Sequence, residues 1–187
     1  QIKLVLRIDP KLETSATFLV DVEKINVKEL LNLWPIDFKE SVYVWMKNNS
    51  EGEIFNVLLS LNIFKKDDEF LFENLKGKFD FNNTKIRYME SMPLIENIYG
   101  FAKIKNDEII FTINSGQSQN LNIKNGIVKL KDLDSNFENA DVFLEIFSGN
   151  QDVIKYLDIS PINRKNFSKL RNIRGDTKID LNLKFPL

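Results

Sequence analysis

Asp67, Asp68 and Glu69 stand in a row directly after Lys65 and Lys66, and a carboxylate row of this kind could hold a hard cation. The same row also fits a solvated turn between two strands, and that is how we read it. Asp132 and Asp134, in "KDLDS", read in the same way. The run 136–139 lacks the spacing and the glycine of a calcium loop. Ser168 and Lys169 are adjacent, not spaced as a serine–lysine catalytic pair requires, so they read as helix surface. "GDTKI", from Gly175, lacks the second glycine of a phosphate loop or dinucleotide fingerprint. The chain has no histidine, which excludes Ser–His and Cys–His couples and histidine metal sites. It has no cysteine, which excludes thiol catalysis, disulfides and zinc–thiolate centres. A carboxylate-pair glycosidase needs two acids across a cleft, and the sequence singles out no such pair. The expectation is therefore no catalytic residue, no cofactor, no metal and no enzyme.

Charge narrows the partners. The 26 basic and 27 acidic residues leave a net charge of −1, and lysine far outnumbers arginine, so nucleic acid is not an expected partner. No run of 18 apolar residues occurs, so no segment reads as a membrane-spanning helix. The chain starts at "QIKLVLRID" and stops at "KIDLNLKFPL", both inside strand patterns. We read residues 1–187 as a single β-rich domain, a segment of a longer repetitive protein.

Whatever the function, a sheet must position it. Period-2 alternation dominates. It runs through "IKLVLRI", "ATFLVDV", "FNVLLSLNI", "LNIKNGIVKL", "DVFLEIF" and "DTKIDLNLKF". "GKFDF" and "TKIRY" read as a hairpin turning at Asn82–Asn83, and "IYGFAKIKNDEIIFTI" as a second hairpin turning at Asn106–Asp107. This makes about ten strands with short connections, hence antiparallel pairing. Three stretches break the pattern as short helices: 37–48, "NQDVIKYLD", and "SPINRKNFSKL", in which Ser160 and Pro161 suit a helix start. Glycines 77, 100, 126, 149 and 175 fall at intervals of 23, 26, 23 and 26, which suggests a repetitive, elongated sheet.

One face of that sheet is dense in aliphatics and in phenylalanine, of which there are 15. An antiparallel sheet with one apolar face must cover it. Two architectures do so. One is a mostly β, elongated and curved antiparallel sheet, a β-groove with about three short helices, whose apolar side holds lipid tails. The other is a closed β-sandwich, a non-catalytic structural or interaction domain. The inward candidates on the earlier strands are Phe55, Val57, Leu59, Leu61, Phe79, Phe81, Ile86 and Tyr88. On the later strands they are Ile104, Phe111, Ile113, Val128, Leu130, Leu144, Ile146, Leu181 and Leu183. The helix near residue 40 is too short to stand alone. It is expected to dock on the apolar side and cap one end, with Trp34, Phe38, Val42 and Trp45 as anchors.

The order of motifs resembles the AsmA-like superfamily of bacterial envelope proteins, and the YhdP type most closely. Trp34-Pro35 is followed by a short helix carrying Trp45, then by a glycine and the long strand "EGEIFNVLLSLNI". Next come Phe79-x-Phe81, Tyr88, Pro93 and Gly100, then Gly126, a helical insert over 150–170, and Pro186-Leu187. The resemblance covers about residues 30–187; the Lys/Asn-rich faces and the few glycines depart from the pattern. It implies a periplasmic β-groove in a protein held in the inner membrane through an N-terminal helix. It also implies a role in moving phospholipid toward the outer membrane. The implied partners are phospholipid or another acyl lipid, neighbouring repeats of the same chain, and the membrane through segments outside this sequence.

Overall fold

The computed structural model describes residues 2–8, 15–32, 40–66, 69–88, 90–133, 138–159 and 173–186. Nine strands form one sheet: β1 (Ile2–Ile8), β2 (Ser15–Asn26), β3 (Ser50–Lys66), β4 (Glu69–Ile86), β5 (Ile95–Lys105), β6 (Glu108–Ser118), β7 (Leu121–Lys131), β8 (Asn139–Gly149) and β9 (Asp176–Pro186). Three helices accompany them: α1 (Val27–Asn32), α2 (Glu40–Asn49) and α3 (Asn150–Ile159). The strand order in space is the order in sequence, β1 to β9, and every neighbouring pair is antiparallel. Short turns explain this order, because a strand reversed by a tight turn pairs with the strand it has just left. The sheet is open: β1 and β9 are its two edges, so the closed sandwich does not form.

Antiparallel order also explains where the helices sit. β2 ends at the same end of the sheet at which β3 begins, so α1 and α2, which join them, lie at that end. β8 ends there too, and α3 carries the chain on to β9. We call this the helix end and the other the turn end.

Each helix has a local cause. Asn26 accepts a hydrogen bond from the Lys28 amide at 2.9 Å, and Glu29 reaches back to the Asn26 amide at 3.2 Å. This is a capping box, and it buries Val27 and Leu31. Helix α2 ends where Ser50 Oγ donates to the Met46 carbonyl at 2.6 Å and Asn49 Nδ2 to that of Trp45 at 3.0 Å. The start of α3 is tied to the strand that follows it. The Asn150 amide donates to the Gly175 carbonyl at 2.9 Å, and Asn150 Nδ2 to that of Arg174 at 3.0 Å.

The expected hairpin at Asn82–Asn83 is instead a bulge inside one 18-residue strand, β4. The pairing slips between Phe81 and Thr84, and Asn83 takes φ = 51°. Asparagine tolerates the left-handed conformation, and both turns and bulges use it. That merger is why nine strands are found where about ten were expected. Asn56 (φ 52°) and Asn97 (φ 52°) sit at further slips, in β3 and β5. At each the inward positions jump by three instead of two: Ile54 to Val57, Phe81 to Thr84, Ile95 to Ile98.

The glycines of the series occupy different kinds of position. Gly77, Gly100 and Gly126 lie within strands, whereas Gly149 ends β8 and Gly175 directly precedes β9. A Cβ on Gly77 would lie 2.3 Å from Leu59 Cδ2, and one on Gly126 2.5 Å from Leu144 Cδ2. The missing side chains make room for the large residues directly opposite. The α3 stretch matches the expected helix, while the expected 160–170 helix lies outside the described residues.

Candidate functional site

The register builds a continuous apolar face. One rung runs Leu4, Val20, Leu59, Gly77, Ile104, Ile109, Leu130, Ala140, Phe185 across all nine strands. The next, toward the helix end, contains Phe79, Ala102, Phe111, Val128, Val142 and Leu183. A third runs Ile25, Ile54, Phe81, Gly100, Ile113, Gly126, Leu144, Leu181. Side chains directly opposite one another share a face, so each rung is a stripe of hydrocarbon.

Phe79, Phe81 and Phe111 meet with ring centroids 6.2–6.4 Å apart. Phe111 lies two strands away from the other two, a backbone separation of about 9.6 Å. The rings close that gap because Ala102 and Gly100 lie between them. Ala102 is fully buried, and a Cβ on Gly100 would fall 2.8 Å from Phe81 Cζ and 2.0 Å from the Thr112 carbonyl oxygen.

Coverage of this face is uneven. Toward the helix end it is buried under side chains of α1, α2 and α3. Ile54, Ile98, Ile123 and Leu144 are all less than a tenth exposed. Toward the turn end Leu59, Ile104, Ile109 and Leu130 are half-buried, and Leu4 is 71 % and Phe185 40 % exposed. The buried polar side chains, among the described residues, all lie at the helix end. There Ser118 donates to the Leu94 carbonyl at 2.9 Å and Ser148 to the Asn120 carbonyl at 2.9 Å. Thr84 is buried with its hydroxyl unpartnered.

Fifteen of the seventeen inward candidates named from the sequence lie on this face: all but Phe55 and Tyr88. Phe55 pairs with Lys24 and Asp80 on the opposite, polar face, and the Lys24 ammonium sits 5.4 Å from its ring centre. The slip at Asn56 turns it outward. Tyr88 lies beyond the end of β4 and belongs to a hydroxyl chain. Its OH is 2.9 Å from that of Tyr156, which is 3.2 Å from Ser118 Oγ. Since the Ser118 proton goes to Leu94, Tyr156 donates to Ser118 and Tyr88 donates to Tyr156. Burial, together with the hydrogen bond to Tyr156, pushes the Tyr88 phenol well above its ordinary range. Sequence reasoning placed Val22, Ile25, Ile54 and Ile98 outside its candidates, although each is buried on this face. The asparagine at each break in alternation is the signal that could have found Ile54 and Ile98.

Of the expected helix anchors, Trp34 and Phe38 lie outside the described residues, as does the side chain of Val42. Trp45 is 39 % exposed, and α2 packs on the core through Tyr43 and Met46 instead.

The opposite face carries ion pairs such as Lys131–Asp141 (2.7 Å) and Lys85–Glu96 (2.8 Å). The hydrogen bond from Lys131 holds the Asp141 carboxyl below the usual carboxylate range. These pairs are largely solvated and contribute little. Among the described residues no group of three acidic side chains converges to hold a metal ion, and no helix is long and apolar enough to cross a membrane. Asp67, Asp68 and Asp134 lie outside the described residues.

No curated protein and no solved structure shows significant similarity to the chain. A protein-family model described as "YhdP protein" does match, over residues 3–187. With that match spanning nearly the whole sequence, the chain belongs to the YhdP family of bacterial envelope proteins.

Proposed function

We propose that the apolar face shields the acyl chains of phospholipid on their way between the inner and outer membranes, as a periplasmic segment of a β-groove. The observation that carries this reading is a predominantly hydrocarbon face on an open sheet, left uncovered at the end where its rungs are purely apolar, in a chain of an envelope family. Each CH₂ of a lipid tail costs about 0.8 kcal/mol to expose to water. A hydrocarbon stripe continuous from strand to strand removes most of that cost at every step, while the head group stays wet at the rim. Such passage breaks no bond, so the reading requires no nucleophile, acid or metal.

Native mass spectrometry of the purified protein tests it. Phospholipid is expected to co-purify, and Leu59→Asp or Phe111→Asp to abolish the association by placing a carboxylate on the face. Phe55→Asp, on the opposite face, is expected to retain lipid. Lipid-free protein, or lipid retained by both inward variants, overturns the reading.

A further inference from the structure

The apolar face is two regions with different histories of contact with water. In the three rungs nearest the helix end, Ile98, Ile123 and Leu144 are already buried by the protein's own side chains. Their surface is already removed from water and offers a ligand nothing to cover. In the rung of Leu59, Ile104 and Leu130, nearer the turn end, the large side chains keep part of their surface open, and in the neighbouring rung Phe79, Phe111, Val128, Val142 and Leu183 do so too, while Val22, Val57 and Ala102 are buried. The polarity of the two regions differs as well. Inward hydroxyls at Ser118, Ser148 and Thr84 all lie at the helix end. The open rungs contain, among the described residues, only hydrocarbon side chains, glycine and alanine.

That difference identifies the occupant. A polypeptide laid on the open rungs would bring peptide groups that need hydrogen-bond partners, and these rungs offer none. A hydrocarbon chain needs none. Orientation follows from the same geometry. The open rungs run across the strands, from β1 to β9, a path of about 38 Å at the usual strand spacing. Both ends of the path stay exposed, at Leu4 (71 %) and Phe185 (40 %).

We infer that acyl chains occupy only a lane along the turn-end rungs, lying across the strands and passing from one edge of the sheet to the other. The helix-end half of the face is a permanent core that lipid never touches. This rests on the lipid reading above and divides the apolar residues into lane and core. Leu59, Leu130 and Leu183 belong to the lane; Leu121 and Leu144 belong to the core.

Photo-leucine, a near-isosteric diazirine analogue, tests the division without unfolding the core. The full chain is made with photo-leucine at every leucine and incubated with vesicles of phosphatidylethanolamine and phosphatidylglycerol. It is then irradiated, and lipid adducts are mapped by tandem mass spectrometry. Adducts are expected at Leu59, Leu130 and Leu183. Labelling at Leu121 and Leu144 is expected to stay at the level seen without lipid. Adducts at Leu121 and Leu144 equal to those at Leu59 and Leu130 overturn the lane while leaving the lipid reading standing. Adducts absent from every inward leucine, or present only at outward Leu58, overturn both.

Discussion

At the scale of single residues, the hydroxyls at the helix end set the terms. Tyr88, Tyr156 and Ser118 form a chain in which each hydroxyl donates to the next and the last donates to the Leu94 carbonyl. Hydrogen bonds in such a chain polarise one another, and burial raises the Tyr88 phenol above its ordinary range. A raised folded-state pKa means that the Tyr88 contribution to stability is complete below the unfolded value of about 10 and is lost as pH rises through the folded value. Alkaline titration at 295 nm should therefore show at least one of the four tyrosines ionising only as the protein unfolds. Four tyrosines ionising normally in the folded protein would refute that. Tyr156→Phe leaves Tyr88 without an acceptor and should cost about 1–3 kcal/mol in urea unfolding. Tyr88→Phe removes only the first donor and should cost about 0.5–1.5 kcal/mol. Thr84 is the opposite case, since its buried hydroxyl has no partner. Thr84→Val keeps the branched shape, removes the orphaned group, and should raise stability by up to about 1–3 kcal/mol. An equal or lower urea midpoint for that variant would show that the hydroxyl is satisfied in solution.

At the scale of elements, asparagine governs the sheet. Asn56, Asn83 and Asn97 take left-handed φ within strands, and each shifts the alternation by one residue, so that the apolar face stays apolar past the slip. Bulges of this kind also bend and twist a sheet. Asn83→Val forces a β-branched side chain into that conformation and should destabilise by about 1–2 kcal/mol. Asn83→Gly should be neutral or stabilising, because glycine adopts the same φ without strain. Equal unfolding midpoints for the two variants would mean that the bulge is not held at this residue. The same feature explains what the sequence made legible. Alternation located most of the strands and most of the inward face, because that face needs only period 2 and an unbroken register, and the short connections implied antiparallel pairing; the order of the strands in space was not legible. Phe55 was misplaced because Asn56 breaks the register one residue later, and a single slip moves a side chain to the other face. The turn assigned to Asn82–Asn83 failed for the same reason, since a bulge and a tight turn draw on one residue type. Helix α1 escaped notice although Asn26-x-x-Glu29 signals its start, because six residues are too few to show a helical period. Spacing puts Trp45 and Met46 on one stripe of α2 but does not say how far each is covered, and Met46 is the one packed on the core while Trp45 stays 39 % exposed.

At the scale of the whole molecule, every strand pairs only with its neighbours in sequence, so the sheet has two edges and closes on neither. The consequence is sharpest at β1, which turns Ile2, Leu4, Leu6 and Ile8 toward the apolar side with exposures of 53–71 %. Beside them on β2, Phe18 is 40 % exposed. A flat edge strand with a row of uncovered aliphatics is a template for pairing, and natural sheets commonly blunt such edges with charge. Lys3 and Arg7 do so on the outer face of β1, but the inward row carries no charge. The isolated chain should therefore self-associate as its concentration rises. Converting Leu4 and Leu6 together to lysine should suppress the association. Neither side chain is buried, so the unfolding midpoint should stay within the roughly 0.5 kcal/mol typical of surface changes. Sedimentation velocity read beside urea unfolding separates the two effects. A parent chain that stays monomeric across the accessible range, or a double variant that associates as strongly as the parent, would show that the β1 row is not the adhesive surface. A double variant that loses several kcal/mol would instead mean that Leu4 and Leu6 are covered in solution by part of the same chain, which places them in a core and not at an open edge.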